Sequence, residues 1–232
     1  TSTQTCSEFM STQNWWVNPA VPPSAAMELA ATERQSQLTK PPGALGRLEH
    51  IAIALAAIQG QLKPQLEQIF IAVFAGDHGI VEEGISAFPQ AVTVEMQRNF
   101  INGGAAISVL AKELGASLEV VNTGTHADPA DLPGVVHAPI AQQTANFLLQ
   151  AAMDEAQWQQ ALTLGQDSVA RALEHKAQLY IGGEMGIGNT SAATAMLAAL
   201  TGYSVADITG PGTGLNQQGV LHKVKILQQA LD

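Results

Sequence analysis

The residues best suited to chemistry in this chain stand nine in a row: Gly182-Gly183-Glu184-Met185-Gly186-Ile187-Gly188-Asn189-Thr190. They lie between a short apolar stretch at 179–181 and an alanine-rich one at 191–200, a pattern of strand, glycine loop and helix. Glycines after a strand let the backbone approach a ligand closely, and a helix N-terminus adds unpaired N–H groups and partial positive charge. The chemistry expected is anion binding, with Gly183, Gly186, Ile187, Gly188, Asn189 and Thr190 around a phosphate. Each charge-assisted hydrogen bond to a phosphate oxygen contributes ~1.5–3 kcal/mol, so three or four support roughly micromolar binding. The spacing Gly183-x4-Gly188-Asn189-Thr190 nearly matches the G-x-x-x-x-G-K-[ST] loop, but Asn189 stands in the lysine position. A β- or γ-phosphate would go largely unneutralised there. A monophosphate site is therefore expected; a phosphate-loop kinase and a plain glycine turn capping a helix are the alternatives.

A second glycine string, Gly210-Pro211-Gly212-Thr213-Gly214, follows, and then the basic cluster His222-Lys223-Val224-Lys225. Gly212 and Lys223 are candidates for a second wall of the anion site, although a solvated helix face accounts almost as well for Lys223. Gly76-Asp77-His78-Gly79 places an acid and an imidazole at a strand end. A ligand-orienting or loop-capping role suits Asp77 better than catalysis. Downstream, Ser86, Phe88, Pro89 and Gln90 form an aromatic-plus-amide stretch suited to stacking on and hydrogen-bonding a planar heterocycle, although a bland loop accounts for it almost as well; Met185 of the first glycine loop is a further base-binding candidate.

Positioning these groups requires a scaffold whose loops converge. The run 69–75 is apolar on both sides, which marks a strand of a parallel sheet covered by helices. Runs at 118–122 and 179–181 repeat the pattern. Helical spacing occupies 92–114, with a break at Asn102-Gly103-Gly104, then 144–162 and 166–178. Strand and helix alternate, so the fold class expected is α/β: a Rossmann-like, doubly wound, mainly parallel sheet with a small helical N-terminal portion. Ligands of such sheets sit at the carboxyl ends of the strands. Those ends are 76–79, 123–128 and 182–190. Upstream, 24–37 reads as a short helix, and Leu45, Leu48, Ile51, Ala52, Leu55 and Ile58 as the apolar face of a stronger one. Trp15 and Trp16 are expected to fill a hydrophobic notch. The division expected is an arm at 1–40, part of a small helical domain, and an α/β nucleotide-binding domain at 41–232.

Composition narrows the function. Twenty acidic residues against 10 basic give a formal charge of −10, against a general nucleic-acid binder. The single cysteine, Cys6, allows no intrachain disulfide and no cysteine-based zinc site. The six histidines form no metal-binding pair, and no metal or cofactor is expected. No apolar run spans a bilayer and the N-terminus has no secretory pattern, so a cytoplasmic location is expected.

Several stretches occur here in the same order as in the nicotinate-nucleotide–dimethylbenzimidazole phosphoribosyltransferases. They are Thr39-Lys40-Pro41-Pro42-Gly43-Ala44-Leu45-Gly46-Arg47-Leu48-Glu49, residues 76–90, Asn102-Gly103-Gly104-Ala105-Ala106-Ile107, residues 183–190 and residues 210–215. The chain resembles that family from about 39 to 225, and Gly-Glu-Met-Gly-Ile-Gly-Asn-Thr is its most specific mark. The resemblance implies a Rossmann-like homodimer that transfers phosphoribose from nicotinate mononucleotide to 5,6-dimethylbenzimidazole. The products are nicotinate and α-ribazole phosphate, for the lower ligand of cobalamin, with inversion at C1′ and no metal. It implies Gly186, Ile187, Gly188, Asn189 and Lys223 at the phosphate, Phe88 and Gln90 along the benzimidazole, and Glu184 near the reacting centre. The family's principal catalytic base is a glutamate in a C-terminal third that nothing here matches. General-base assistance is worth ~10²–10⁴ in rate. The expectation is therefore a shortened, impaired chain in which Glu184 is the candidate substitute. A non-catalytic nucleotide- or azole-binding module is the rival.

Overall fold

The structure, a computed structural model, describes residues 19–127 and 132–232. Cys6, Trp15 and Trp16, named above, lie outside the described residues, as does position 128 at the end of the second strand loop. The chain divides into two compact units, Thr1–Glu67 and Gln68–Asp232. The helix at 47–59 lies in the first of these units.

In the first unit, helix α1 (Ala25–Gln37) packs on α2 (Arg47–Gln59). Ser24 caps α1, its hydroxyl accepting from the Met27 N–H at 3.3 Å, while its own N–H donates to the Ala57 carbonyl at 2.9 Å. Gly60, left-handed at φ 65°, ends α2. The buried residues are small: Ala31, Ala56 and Ala57. Of the apolar face read in the sequence, Leu45, Leu48, Ile51 and Ile58 are exposed. Lys40 pairs with Glu49 at 2.7 Å across the proline turn between the helices, and that hydrogen bond holds the Glu49 carboxyl below its usual range.

In the second unit, strands β1 (Ile69–Gly76), β2 (Ser117–Gly124), β3 (Val135–His137) and β4 (Leu179–Met185) form a parallel sheet in the order β3-β2-β1-β4. The three-residue β3 is too short to carry a readable pattern. Strand β4 runs further than the apolar triplet predicts, because Gly182 to Met185 keep the ladder by pairing with Ala72 to Ala75. Gly183 is therefore a strand residue. A Cβ there would sit 3.3 Å from Val73 Cγ2, so its small size serves packing across the ladder.

Both sheet faces are covered, as the doubly wound reading requires. Helices α3 (Ala91–Ile101) and α4 (Ala106–Leu114) share one cluster with the sheet, including Val73, Val94, Phe100, Ala105 and Val120. On the other face, Phe70 and Ala72 pack with Ala172 of α5 (Glu155–Glu174), and Arg171 grips Glu119 with two hydrogen bonds, 2.5 and 2.9 Å. A single α5 replaces the two helices expected at 144–162 and 166–178. Its start is fixed by a capping box between Asp154 and Gln157. Gly165 does not break it, since an interior glycine costs only ~1 kcal/mol against alanine. The freed segment 144–154 runs back to the strand ends: the Thr144 N–H donates to the Asp77 carbonyl at 3.1 Å and the Thr144 carbonyl accepts from Gly79 at 3.0 Å.

A 3-10 turn (Gly79–Glu83) follows β1, and α6 (Asn189–Thr201), α7 (Val205–Ile208) and α8 (Gln217–Leu231) complete the unit. The α8 face carrying Ile226 and Leu227 packs on two clusters, one with α6 and α7 and one with Ile80 and Ile85 after β1. Among the described residues no helix is long and apolar enough to cross a membrane.

Gly124, at the end of β2, has φ 135°, and an added Cβ would collide with the Ala141 carbonyl. Gly124→Ala should destabilise the protein by about 2–4 kcal/mol through strain and overpacking. Urea unfolding checks this.

Candidate functional site

The strand ends are knotted together at Asp77, one residue past β1. Its N–H donates to the Gly124 carbonyl at 2.9 Å. Its Oδ1 accepts from the Thr93 hydroxyl at 2.5 Å and its Oδ2 from the His126 N–H at 3.0 Å. The Thr93 oxygen in turn accepts the Ile187 N–H at 3.2 Å. Burial pushes the Asp77 carboxyl above its ordinary value, and the hydrogen bonds from Thr93 and His126 oppose that shift.

Beside this knot lies a small pocket of about 30 Å³, lined by Ile85, Ser86, Gly186, Gly188, Asn189, Thr190, Ser191, Gly212 and Thr213. Gly188 is the N-cap of α6, so the first turn of that helix opens on the pocket. Gly188 is left-handed at φ 102°, and a Cβ there would stand 2.9 Å from both His78 Cβ and Val81 Cγ2. Lys223, only 1% exposed, reaches the pocket wall and donates from Nζ to Thr190 Oγ1 at 2.7 Å. Among the described residues it makes no ion pair, and burial holds its ammonium below the ordinary lysine value. Ser191 Oγ, also buried at the pocket, has no hydrogen-bond partner. A buried ammonium, an orphaned hydroxyl and a helix N-terminus thus surround one small void, groups whose chemistry is suited to an anion.

Asn189 also lines a larger cavity of about 300 Å³, whose walls include Phe74, Ile140, Met153, Ala161, Glu184 and Met185. A third space of about 280 Å³ shares His78, Glu184 and Asn189 with it. The three cavities thus meet at Asn189. The His78 imidazole, held below its ordinary pKa by burial, bonds to Asn189 Oδ1 at 2.5 Å through Nε2. Among the described residues, no three His, Cys, Asp or Glu side chains converge as a metal site.

Known proteins add the family. A model described as "Phosphoribosyltransferase" matches residues 20–232. The chain belongs to this phosphoribosyltransferase family. It is similar to the nicotinate-nucleotide–dimethylbenzimidazole phosphoribosyltransferase of Pseudomonas fluorescens SBW25, at 58% identity over 95% of this chain and 63% of the relative. A Pseudomonas putida protein of the same name is 55% identical, again over 95% of this chain and 63% of the relative. The crystal structure of CobT from Thermus thermophilus superposes with a TM-score of 0.84 at 41% identity, covering 89% of this chain and 62% of that one. The chain spans about 63% of the length of the curated relatives it matches.

Within the family frame, the structure brings Gly186, Gly188, Asn189, Thr190, Gly212 and Lys223 together at the small pocket, and Glu184 and Met185 at the large one. Other expected site residues sit elsewhere. Ile187 is buried, its N–H is spent on Thr93, and it does not line the small pocket. Gly183 pairs in β4 rather than shaping the loop. Ser86, expected beside the heterocycle, lines the anion pocket, with Oγ 3.4 Å from Thr213 Oγ1. Phe88 is 51% exposed and lines none of the three cavities. Gln90 is a buttress, donating to the His78 carbonyl at 3.1 Å and to Gln143 Oε1 at 2.6 Å. The aromatic wall comes instead from Phe74 in β1. The solvated-face account of Lys223 fails, because Lys223 shares its buried stripe with Ile226 and Leu227 at i+3 and i+4. That spacing was a readable signal, as was Thr93, a polar residue on the apolar face of α3.

Lys223→Met tests the anion pocket. The ammonium is uncompensated and its folded pKa is lowered, so the unfolded chain binds more protons between that lowered value and the ordinary 10.5. Stability of the ligand-free protein should rise with pH through that window, and Lys223→Met should abolish the rise. Near pH 7 the variant should be at least as stable as the parent while binding inorganic phosphate tenfold or more weakly. Thermal melts across the pH range and a phosphate titration check both.

Proposed function

We propose that this chain carries the nucleotide-binding part of an enzyme that moves phosphoribose from nicotinate mononucleotide to 5,6-dimethylbenzimidazole, yielding α-ribazole phosphate for cobalamin. The observation that carries the reading is Lys223: a lysine 1% exposed, unpaired with any described carboxylate, at the edge of a void lined by a helix N-terminus. A buried charge left without a partner is costly in a protein that binds nothing. It is accounted for by a ligand that brings the opposite charge.

The cleft then has an order. The 5′-phosphate occupies the small pocket between Lys223, Ser191 and the start of α6. The ribose passes Asn189, whose amide His78 orients. The heterocycle occupies the apolar cavity between Phe74 and Met153. Glu184 lines the junction of the two larger cavities, where a base nitrogen would meet C1′. As one benzimidazole nitrogen bonds to C1′, the bond from C1′ to nicotinate breaks and the proton on the other nitrogen passes to a carboxylate, Glu184 in this chain. Positioning and fixed dipoles supply most of the stabilisation. On this reading the protein works in the cytoplasm as a homodimer.

The test pairs binding with turnover. Nicotinate mononucleotide should bind the 232-residue chain and release at least tenfold more readily from Lys223→Met. With dimethylbenzimidazole added, α-ribazole phosphate should form about 10²–10⁴ more slowly than with a full-length relative, and Glu184→Gln should remove what remains. Absence of mononucleotide binding by the folded parent chain would overturn the reading. Binding without any product would favour a module that holds the nucleotide but does not turn it over.

A further inference from the structure

We propose that Thr93 is a positioning residue for the anion pocket: its hydroxyl, held by the Asp77 carboxylate, clamps the Ile187 N–H and so sets the path of the turn that forms the pocket wall. The inference rests on the anion-site reading and goes beyond it, since Thr93 lines none of the three cavities. The chain of donors runs one way. The Ile187 N–H donates to Thr93 Oγ1 at 3.2 Å, and the Thr93 hydroxyl donates to Asp77 Oδ1 at 2.5 Å. All three residues are 2% exposed or less, so water does not stand in for a lost link.

The clamp sits where the turn most needs one. Ile187 is flanked by Gly186 and Gly188, the two positions of the turn with the greatest backbone freedom. On one side the fit is tight, because a Cβ on Gly186 would collide with the Gly76 carbonyl and with Asn189 Oδ1. On the other, Gly188 adopts φ 102° to start α6. Between these two glycines the Ile187 amide is fixed by a side chain from α3, more than ninety residues away in sequence. Removing the hydroxyl leaves an N–H and a carboxylate oxygen short of a partner in a dry interior, an unfavourable state that the turn relieves by moving. Gly186, Gly188, Asn189, Thr190 and Ser191 would move with it. The coupling runs both ways, so a bound anion should hold the Ile187 N–H more firmly to Thr93.

The experiment uses the 232-residue chain and inorganic phosphate as probe, with Thr93→Val, which keeps the shape and removes the hydroxyl, and Thr93→Ser, which restores it. Phosphate affinity is read by calorimetric titration, and hydrogen exchange of the Ile187 amide by NMR with and without phosphate. Thr93→Val should bind phosphate about tenfold more weakly, a change of ~1.4 kcal/mol. Its Ile187 amide should exchange faster and gain little protection from phosphate. Thr93→Ser should stay within about threefold of the parent in affinity and keep the protection, an outcome that a space-filling role for Thr93 would not produce. If Thr93→Val is too unstable to titrate, Thr93→Cys, with its weaker donor and acceptor, should fall between parent and Lys223→Met. A folded Thr93→Val or Thr93→Cys that binds phosphate as tightly as the parent overturns the positioning role; if Lys223→Met still loses phosphate, the anion site stands without it. A parent chain that binds no phosphate removes the anion site, and the clamp with it.

Discussion

The arrangement of this site depends on one buried carboxylate. Asp77 is 2% exposed, and a charge in that position persists only when its oxygens are hydrogen-bonded. The partners come from separate segments: Thr93 on α3, His126 after β2 and, through the Asp77 backbone, Gly124 and Thr144. Each bond satisfies the carboxylate or its peptide and at the same time fixes a loop. Thr93 extends the set to the turn after β4. The loops at the carboxyl edge of the sheet are therefore held as one constellation and not as independent connections, which is what a binding cleft at that edge requires.

Lys223 presents the opposite electrostatic situation. The α8 stripe that buries Ile226 and Leu227 also carries the lysine into the interior, where it finds one hydroxyl and, among the described residues, no carboxylate. Asp77 is a charge made tolerable by the protein itself. Lys223 is a charge without a described carboxylate partner. The contrast separates scaffold from receptor: the carboxylate organises the loops, and the ammonium waits at the wall they form. The orphaned Ser191 hydroxyl and the start of α6 stand at the same wall.

Asn189 then divides the cleft. It takes the position where a phosphate-loop enzyme has lysine, and its side chain is engaged by His78 rather than aimed at a chain of phosphates. With the cation delivered from α8 instead of the loop, the charged pocket is confined to a small volume on one side of Asn189. The other side is left to Phe74, Met153 and Glu184, a mostly apolar space with a carboxylate in its wall. A charged small pocket and a mostly apolar larger one therefore share Asn189 as their common wall.

Much of this was present in the sequence. The apolar run of β1 and the alternation of strands with helices specify a parallel sheet covered on both faces, because burial on both sides of β1 leaves no polar alternation there. The glycine-rich turn before α6 is legible for the same local reason: glycine placement and a helix start are properties of neighbouring residues. Where the reading went astray, the cause was tertiary. The residues Gly182 to Met185 look like loop until β1 supplies a partner for their backbone. Residues 144–154 look helical until Asp77 and Gly79 take the Thr144 peptide groups. Phe88 looks like a stacking partner, yet it faces solvent, while Phe74, hidden in a strand pattern, lines the cavity. The sequence alone determined the parallel α/β class, the strands β1 and β2 and the glycine-rich turn that precedes α6. Only the tertiary structure decided which amides are free, which lysine is dry and which aromatic ring meets the cavity, because those depend on partners tens of residues away.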